Sequence, residues 1–436
     1  MEQALRQHAP DRPEAAPSPA AGGRALVIDL EGALLRSDLA WEALFADLGR
    51  SLARLWAGRS PNKPVLSRVL ARARIDYAHL PYDADVLNRA LAARARGEKV
   101  YLAARRFEDH AAAISAHLGF DGVIARADAL PVAAETVDHV SGQSRRTDWR
   151  TWLRALRVYQ YAKNTLVFVP LVTAHQMSLE ALGDALLAFF AFSACASGAY
   201  LMNDLLDLVA DRAHPTKRHR PLAAGQLPIA HALAAIPALW LAAVAASLCI
   251  SGLFVAVLGA YLATTIAYSL FLKRKMLLDV VTLAGLYTLR IIAGAVGAGV
   301  VLSEWLLMFS LFVFTSLALI KRYSELTMRQ GAGLSDPANR DYRVGDLQVI
   351  AAMAAASGMN AVIVFSLYVS SSAVTPLYSR PWMLWLMNPP LLYWFGRALM
   401  MAHRREMPDD PILYTFRDNA SRITVAAMIF IMLAAI

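Results

Sequence analysis

The stretch ALGDALLAFFAFSACASGAYLMNDLLDLVADRAHPTKRHRP, residues 181–221, runs from an apolar segment through three aspartates into a basic loop. Its apolar part has the length of about 20 residues that an α-helix needs to cross the hydrocarbon of a bilayer. Ionisable groups at the edge of such a span are costly and mark functional sites. The stretch therefore predicts a membrane protein whose chemistry lies where this helix leaves the bilayer.

The composition of the whole chain agrees with a membrane protein. Of its 436 residues, 57% are hydrophobic and 18% are charged, and the mean hydropathy is +0.40. A soluble domain would carry about 25% charged residues. The net charge of +9 does not indicate a nucleic-acid partner, because the bases of the second half cluster in short loops between apolar runs, as membrane orientation requires. Both cysteines lie inside apolar runs, which argues against a disulfide framework.

The apolar runs predict an all-α membrane bundle of nine spans. Basic residues concentrate in loops on one side of this arrangement, and the positive-inside rule places those loops in the cytoplasm. We therefore expect a multi-pass protein of a bacterial-type inner (plasma) membrane, with its N-terminal domain and active site cytoplasmic. The predicted spans are 164–178, 181–202, 229–248, 252–272, 277–298, 302–320, 347–371, 382–400 and 423–436.

The three aspartates predict a metal site. Asp204, Asp207 and Asp211 fall within about 60° of one another on a helix, so they share one face and repel each other unless a cation lies among them. Hard oxygen donors at this spacing suit Mg²⁺, which also takes phosphate oxygens. Asn203 adds a neutral oxygen. We therefore predict Mg²⁺ as the cofactor and the three acids as its ligands and as catalytic residues.

The basic residues that follow the acids predict a phosphate-binding loop. The acids would hold the metal, and the bases would hold the phosphate oxygens that the metal does not reach. The alternative is a solvated helix end in which the same bases pair with the three carboxylates. The candidate bases are Lys217, Arg218 and Arg220.

Three further loops on the same predicted side carry polar side chains of matching chemistry. Lys273 and Asp279 are candidate catalytic residues together with the three acids. Arg290 lies in the middle of a span, close to three helical turns after Asp279, so it either pairs inside the bundle or reaches an anionic substrate. The other candidate substrate-binding residues are Lys163 and Asn164 in RVYQYAKN (157–164), Tyr268 in YSLFLKRKMLLD (268–279), and Lys321 and Arg322 in KRYSEL (321–326).

These motifs resemble the UbiA superfamily of membrane prenyltransferases, and within it the decaprenyl-phosphate phosphoribosyltransferase branch. The resemblance covers essentially residues 155–436. It implies Mg²⁺-dependent transfer of a phosphoribosyl group from phosphoribosyl diphosphate to a polyprenyl phosphate. The matching segments are NDLLDLVADRAHPTKRHRPLAAG (203–225), QYAKN (160–164) with the following LVFVPL, YSLFLKRKMLLDV (268–280), LRIIAG (289–294), KRYSEL and PDDPI (408–412).

Two other functions stay open. The same site would serve prenyl transfer from a polyprenyl diphosphate to an aromatic or other lipophilic acceptor. The wider superfamily often has two aspartates four apart in its second motif, whereas here Asp279 stands alone and position 283 is Leu, which weakens that reading. A non-catalytic lipid carrier is the third possibility, but the chain has no convincing internal repeat. Lipid length and oligomeric state do not follow from the sequence.

The N-terminal half is similar to the haloacid dehalogenase-like phosphatases. RALVIDLEGALLRSD (24–38) and GEKVYLAARR (97–106) predict buried strands of an α/β domain, with Asp29 at the position of the nucleophile. The second acid is Glu31 rather than Asp, and the hydroxyl expected after the second strand is absent. We therefore favour a degenerate regulatory or structural domain, with Asp29 as a vestigial nucleophile, over an active phosphatase.

The predicted organisation has four parts. A disordered leader covers residues 1–22, since its Ala-, Pro- and Arg-rich composition lacks the order of a signal peptide. The haloacid dehalogenase-like domain covers 23–130 and a linker covers 131–155. The transmembrane transferase domain covers 156–436.

Overall fold

A computed structural model describes residues 24–45, 75–125, 136–142, 147–176, 178–336, 340–407 and 410–436. They form two compact units. The first comprises Met1–Leu156 with Tyr200–Ile236, and the second Arg157–Ala199 with Pro237–Ile436. The predicted leader lies outside the described residues, as do positions 131–135 and 143–146 of the predicted linker.

The regular elements are four strands, fifteen α-helices and several short 3₁₀ helices within the described residues. The strands are β1 (Arg24–Asp29), β2 (Lys99–Ala103), β3 (Gly122–Ile124) and β4 (Thr136–Val140). The helices are α1 (39–45), α2 (Ala84–Ala95), α3 (Glu108–Leu118), α4 (Trp149–Ala155), α5 (Val169–Thr173), α6 (Leu179–Leu206), α7 (Leu208–Ala213), α8 (Ile229–Leu248), α9 (Gly252–Leu270), α10 (Leu278–Gly297), α11 (Glu304–Gly331), α12 (Leu347–Ser370), α13 (Asn388–His403), α14 (Pro411–Arg417) and α15 (Asn419–Ala435). The 3₁₀ helices are Tyr77–His79, Val158–Phe168, Lys217–His219, Leu272–Arg274, Val344–Asp346 and Pro381–Met387.

The first unit contains a parallel sheet in the order β3-β2-β1-β4. Four consecutive residues of β1, Ala25 to Ile28, are buried, as expected for a parallel strand that is covered on both faces. Asp83 caps α2 by accepting hydrogen bonds from two backbone N–H groups of its first turn. The two strands predicted from the sequence therefore exist, and they pair in parallel as an α/β sheet requires. The relationship to haloacid dehalogenases stays a prediction.

The second unit is a helical bundle in which α10 packs against α9, α11 and the 3₁₀ helix Val158–Phe168. Gly294 of α10 makes the last contact possible, because a Cβ at this position would overlap the carbonyl group of Val167. Small residues let helix backbones approach closely in membrane bundles. This approach brings the first apolar segment of the unit, which carries Lys163 and Asn164, onto the buried face of α10.

The prediction of nine spans is not confirmed. Within the described residues, six helices are long and apolar enough to cross a membrane, namely α6, α8, α9, α10, α11 and the 27-residue segment that ends with α12. A seventh span results if α14 and α15, which meet at an angle of 85°, count as one. The predicted spans at 164–178 and 382–400 each fold as a 3₁₀ helix followed by an α-helix. These two α-helices have 5 and 16 residues, fewer than the about 20 that a membrane span needs. Pro170 and Pro389 stand in the first turn of the two α-helices, where the missing proline N–H cannot continue the helical bonding of the preceding segment.

Candidate active site

The acidic cluster, as we call Asp204, Asp207, Asp211 and Arg220, lies in the first unit where α6 gives way to α7. The predicted single helix is divided at Asp207, which precedes α7 in a non-helical conformation. Asp204 and Asp211 are both buried and both contact one nitrogen of Arg220: Nη1 lies 3.1 Å from Asp204 Oδ1 and 2.6 Å from Asp211 Oδ2. Asp207 instead accepts a hydrogen bond of 3.1 Å from the side-chain amide of Asn203.

The charge balance of the acidic cluster fits a bound cation. Burial raises the pKa of the Asp211 carboxyl, although the Arg220 charge partly offsets this effect. Within the described residues, no three His, Cys, Asp or Glu side chains are arranged to hold a metal ion. However, the position of Arg220 shows that a positive charge is accommodated between Asp204 and Asp211. Carboxylate and amide oxygens are also the donors that Mg²⁺ prefers. The donor type therefore fits Mg²⁺, while the three carboxylates are not arranged around a common metal position.

The loop after α7 presents basic side chains to solvent. Lys217 and Arg218 lie in the 3₁₀ helix Lys217–His219, and both are exposed. The ring of His214 accepts a weak hydrogen bond of 3.3 Å from the backbone N–H of Thr216, which supports the turn that begins this loop. Of the three predicted phosphate-binding bases, Arg220 is paired with the acids while Lys217 and Arg218 project outward. The loop thus agrees in part with each interpretation of the sequence: Arg220 pairs with the carboxylates, whereas Lys217 and Arg218 are exposed, as phosphate-binding bases would be.

Arg212 is a residue of this segment whose role the sequence did not reveal. It directly follows Asp211, yet its guanidinium binds Glu42 of α1 with both terminal nitrogens. Its Nε also donates to the backbone carbonyl of Ala223 at 3.1 Å. Both side chains of the ion pair are buried. No local signal could have found this pair, because the two residues are 170 positions apart.

The second unit contains the bundle network, which we define as Asp279, Arg322, Glu325, Arg340 and Tyr342. The side chain of Asp279 is fully buried, with its Oδ2 2.7 Å from Arg322 Nε and 3.6 Å from Arg340 Nη1. Tyr342 donates its hydroxyl to Asp279 Oδ1 at 2.5 Å, and burial and this hydrogen bond together raise the pKa of Tyr342. Asp279 is thus contacted by two arginines and by one tyrosine hydroxyl.

Glu325 completes the bundle network. It pairs with Arg322 Nη1, and its Oε1 lies 3.4 Å from Arg340 Nε. Arg322 Nη2 also reaches the hydroxyl of Tyr268 at 3.5 Å. The network holds two arginines and two carboxylates, so its formal charge is zero. Sequence reasoning found Asp279, Arg322 and Tyr268 but missed Arg340 and Tyr342, which come from a loop with no recognisable motif.

Lys163 is buried beside Asp410, with which it forms an ion pair. Burial alone would raise the pKa of the Asp410 carboxyl, but the Lys163 and Lys321 charges outweigh burial and hold that pKa below its ordinary value. Asp410 also caps α14 by accepting from the N–H of Ile412 at 3.1 Å. Lys321 is half-buried, and its charge acts on the same carboxylate.

Arg290 and Asn164 bind each other inside the bundle. Arg290 donates from Nε to Asn164 Oδ1 at 2.9 Å, from Nη1 to the carbonyl of Leu286 at 2.6 Å and from Nη2 to the hydroxyl of Tyr261 at 2.8 Å. Asn164 in turn donates to Ser193 Oγ at 3.0 Å. All three nitrogens of the guanidinium are thus used by the protein, which favours the structural reading of Arg290. Lys273 lies half-buried in the 3₁₀ helix Leu272–Arg274.

In the α/β sheet, the carboxylate of Asp29 is bound by the chain itself. His139 Nε2 lies 3.0 Å from Asp29 Oδ1, and the N–H of Gly142 donates to Oδ2 at 3.2 Å. His139 belongs to β4, which pairs with β1, and Gly142 lies two residues after the end of β4. A carboxylate that attacks phosphorus needs an accessible oxygen. The side chain of Asp29 is still 34% exposed, so the degenerate reading of this domain stays a prediction.

Comparison with known proteins gives the following matches. A sequence model described as the UbiA prenyltransferase family matches residues 165–420. The uncharacterized protein y4nM of Sinorhizobium fredii is 32% identical over 460 residues, covering 91% of this chain and 88% of that protein. A decaprenyl-phosphate phosphoribosyltransferase of Mycolicibacterium smegmatis is 36% identical over 217 residues, covering 47% of this chain and 64% of that protein. A structure of a UbiA homolog from Archaeoglobus fulgidus bound to GPP and Mg²⁺ has a TM-score of 0.49 at 16% identity, covering 64% of this chain and 99% of that one.

Proposed function

The chain belongs to the UbiA prenyltransferase family of membrane transferases, and we propose that it transfers a phosphoribosyl group from phosphoribosyl diphosphate to a polyprenyl phosphate. The observation that carries this proposal is the acidic cluster. In it, the buried carboxylates of Asp204 and Asp211 both contact the guanidinium of Arg220, beside an exposed basic loop. Such a pairing of acids and bases suits a metal-bound diphosphate. The similarity to phosphoribosyltransferases, 36% over 217 residues, supports the choice of donor.

Asp204, Asp207, Asp211 and Asn203 are the residues that would hold Mg²⁺. When bound, Mg²⁺ supplies positive charge to the leaving diphosphate. Lys217 and Arg218 would bind the remaining phosphate oxygens of the donor, since both residues are exposed. In the reaction, the bond between the anomeric carbon and the diphosphate oxygen breaks, and a bond from that carbon to an oxygen of the lipid phosphate forms.

For the acceptor, the protein has only to position the lipid phosphate and to balance its charge. A phosphate oxygen is already anionic, so no side chain has to remove a proton from it. Lys321, half-buried near Asp410 in the second unit, stays a candidate for binding a substrate phosphate. The second unit also holds an apolar cavity of about 610 Å³, lined among others by Val301, Trp305, Phe365 and Tyr368. A polyprenyl chain is chemically suited to such a lining.

The buried Glu42–Arg212 pair supports a cytoplasmic active site. It requires the α/β domain and the basic loop after α7 to lie on the same side of the membrane. If α6 crosses the bilayer, the segment before it has to cross as well, and Val158–Thr173 is long enough to do so. Its 3₁₀ part rises about 2.0 Å per residue and its α part about 1.5 Å, which gives roughly 30 Å in total. The positive-inside rule then places this side in the cytoplasm.

Prenyl transfer to an aromatic or other lipophilic acceptor is the second candidate. It is favoured by the family description itself, and the acidic cluster would serve a prenyl diphosphate equally well. The two reactions differ in the donor that loses its diphosphate. They are therefore separated by labelling the donor rather than by changing the site.

The deciding experiment uses purified protein in detergent with Mg²⁺. One reaction contains radiolabelled phosphoribosyl diphosphate and a polyprenyl phosphate, and the other contains a labelled prenyl diphosphate and an aromatic acceptor. We expect label to enter the lipid fraction only in the first reaction, and to be lost in Asp207→Asn. Asp184→Asn, at the other end of α6, is the matched control and should keep full activity. Label transfer in the second reaction alone would replace the proposal with prenyl transfer.

A further inference from the structure

The α/β domain contacts the loop of the acidic cluster through a buried ion pair. Glu42 and Arg212 are 3% and 7% exposed, and the guanidinium engages both oxygens of the carboxylate, with Nη2 2.7 Å from Oε1. A bidentate pair of this kind fixes orientation as well as charge. Breaking such a buried pair would leave an uncompensated charge, so the two side chains stay together. The position of Arg212 is therefore set by a residue of another part of the chain.

Arg212 is connected to Arg220 through two hydrogen bonds to the loop backbone. Its Nε donates to the carbonyl of Ala223 at 3.1 Å, and the N–H of the next residue, Ala224, donates to the carbonyl of Arg220 at 2.8 Å. Arg220 is the residue whose guanidinium holds Asp204 and Asp211. A continuous series of direct contacts thus leads from α1 of the α/β domain to the acidic cluster.

A second contact fixes the far end of the same loop. Gly225 has a φ of +65°, and a Cβ there would lie 2.7 Å from the Cβ of Arg36 and 3.1 Å from that of Pro81. Only glycine accepts both this backbone angle and this spacing without strain. The 3₁₀ helix Tyr77–His79 also packs against α7. The segment from α7 to Gly225 is thus held by the α/β domain at both ends.

The acid motif of the α/β domain supports this contact rather than a separate reaction. Glu31 accepts a hydrogen bond of 3.3 Å from the N–H of Leu39, the first residue of α1, and so caps the helix that carries Glu42. Asp29 is bound by His139 and Gly142. Both acids of the motif are therefore used inside the domain. The match to y4nM covers 91% of this chain, more than residues 157–436 alone supply, so a second protein combines both parts.

We propose that the α/β domain is a positioning domain for the transferase, and that Glu42 is a positioning residue that holds the phosphate-binding loop through Arg212. The proposal rests on the proposed function in one respect, namely that the loop binds the diphosphate donor. Glu42 itself touches no substrate. Its loss should therefore weaken donor use while leaving acceptor use and the helical bundle unchanged.

The test compares Glu42→Gln and Glu42→Arg with the double variant Glu42→Arg/Arg212→Glu, which reverses the pair. Glu108→Gln, at the exposed start of α3, is the matched control. Two readouts are recorded on detergent-purified full-length protein. The first is the KM for phosphoribosyl diphosphate and for the polyprenyl phosphate. The second is hydrogen–deuterium exchange of peptides that cover 208–227, which does not depend on activity.

We expect Glu42→Gln to raise the donor KM by about tenfold, the effect usual for a residue that orients another, with the acceptor KM unchanged. Exchange at 208–227 should rise while exchange in α10 and α11 stays at the wild-type level. The reversed pair should recover part of both losses relative to Glu42→Arg alone. Wild-type exchange at 208–227 in Glu42→Gln would overturn the proposal, and so would an increase spread evenly over the chain. If no donor is turned over by the wild type, the proposed function fails while the exchange data still decide whether Glu42 positions the loop.

Discussion

The acidic cluster and the bundle network both place aspartate against arginine, but they differ in how far they are open to solvent. In the acidic cluster, Asp204 and Asp211 contact Arg220, whose side chain is 28% exposed. In the bundle network, the fully buried Asp279 has two arginines and a tyrosine hydroxyl around it. The first site is partly exposed and has an exposed basic loop beside it. The second site is neutral and closed.

From this difference we infer that the acidic cluster binds substrate, whereas the bundle network stabilises the fold. A partly exposed site with basic side chains beside it is accessible to a metal ion and its anionic ligand, whereas a neutral buried network loses contacts if any member turns toward a substrate. Asp279, like the three acids of the cluster, is predicted from the sequence to be catalytic. We now assign the donor chemistry to the acidic cluster and expect Asp279 to act mainly in folding.

The largest effect is expected for Asp279→Asn. Removing one charge of a buried ion pair costs about 3–5 kcal/mol, because Arg322 would keep its charge with only Glu325 to balance it. The free energy of unfolding, or the melting temperature in detergent, measures this loss. Asp341→Asn, an exposed residue of the same loop as Arg340 and Tyr342, should melt like the wild type. A stable Asp279→Asn protein without transfer activity would make Asp279 catalytic and remove the distinction between the sites.

Asp211→Asn should show the opposite behaviour. Its carboxylate is one of the proposed metal ligands, and losing a group that stabilises the developing charge typically lowers turnover by about 100-fold or more. Asp204 stays paired with Arg220, so the melting temperature should change little. Initial rates of lipid labelling, together with melting curves, test both statements. Loss of folding instead of turnover would place Asp211 in the same class as Asp279.

Arg220→Ala sharpens the account of the acidic cluster. Without the guanidinium between Asp204 and Asp211, the site carries one more net negative charge, so Mg²⁺ should saturate the enzyme at about tenfold lower concentration. The KM for the diphosphate donor should rise in the same variant, because a phosphate-binding base is lost. Rates measured over a Mg²⁺ titration at two donor concentrations show both shifts. An unchanged Mg²⁺ requirement would mean that Arg220 and the metal do not share these carboxylates.

The smallest effect is expected for Asp29→Asn in the α/β domain. Because both of its oxygens are bound by His139 and Gly142, Asp29 should contribute nothing to transfer, and labelling rates should stay within about twofold of the wild type. The wild-type protein should also fail to hydrolyse p-nitrophenyl phosphate. Hydrolysis that disappears in Asp29→Asn would show that the domain is an active phosphatase after all.

Sequence reasoning reached the features that depend on local pattern. The apolar runs, the helix-end acids and the parallel strands follow from periodicity and from residue type over short windows. The count of nine spans is not confirmed, because length and hydropathy do not reveal where a segment such as Val158–Phe168 winds as a 3₁₀ helix. The partners of Asp279 and of Arg212 were missed for a different reason. Tyr342 and Glu42 are ordinary residues at a distance in the chain, and only packing brings them to their partners.

The most direct test of the distinction between the two sites is metal binding measured apart from turnover. Mn²⁺, which replaces Mg²⁺ and gives an electron paramagnetic resonance signal, would be titrated into the purified protein with phosphoribosyl diphosphate present. We predict a bound Mn²⁺ signal in the wild type and in whatever Asp279→Asn protein folds, and its loss in Asp207→Asn and Asp211→Asn. A bound signal that survives in both acidic-cluster variants and disappears in folded Asp279→Asn would contradict the account.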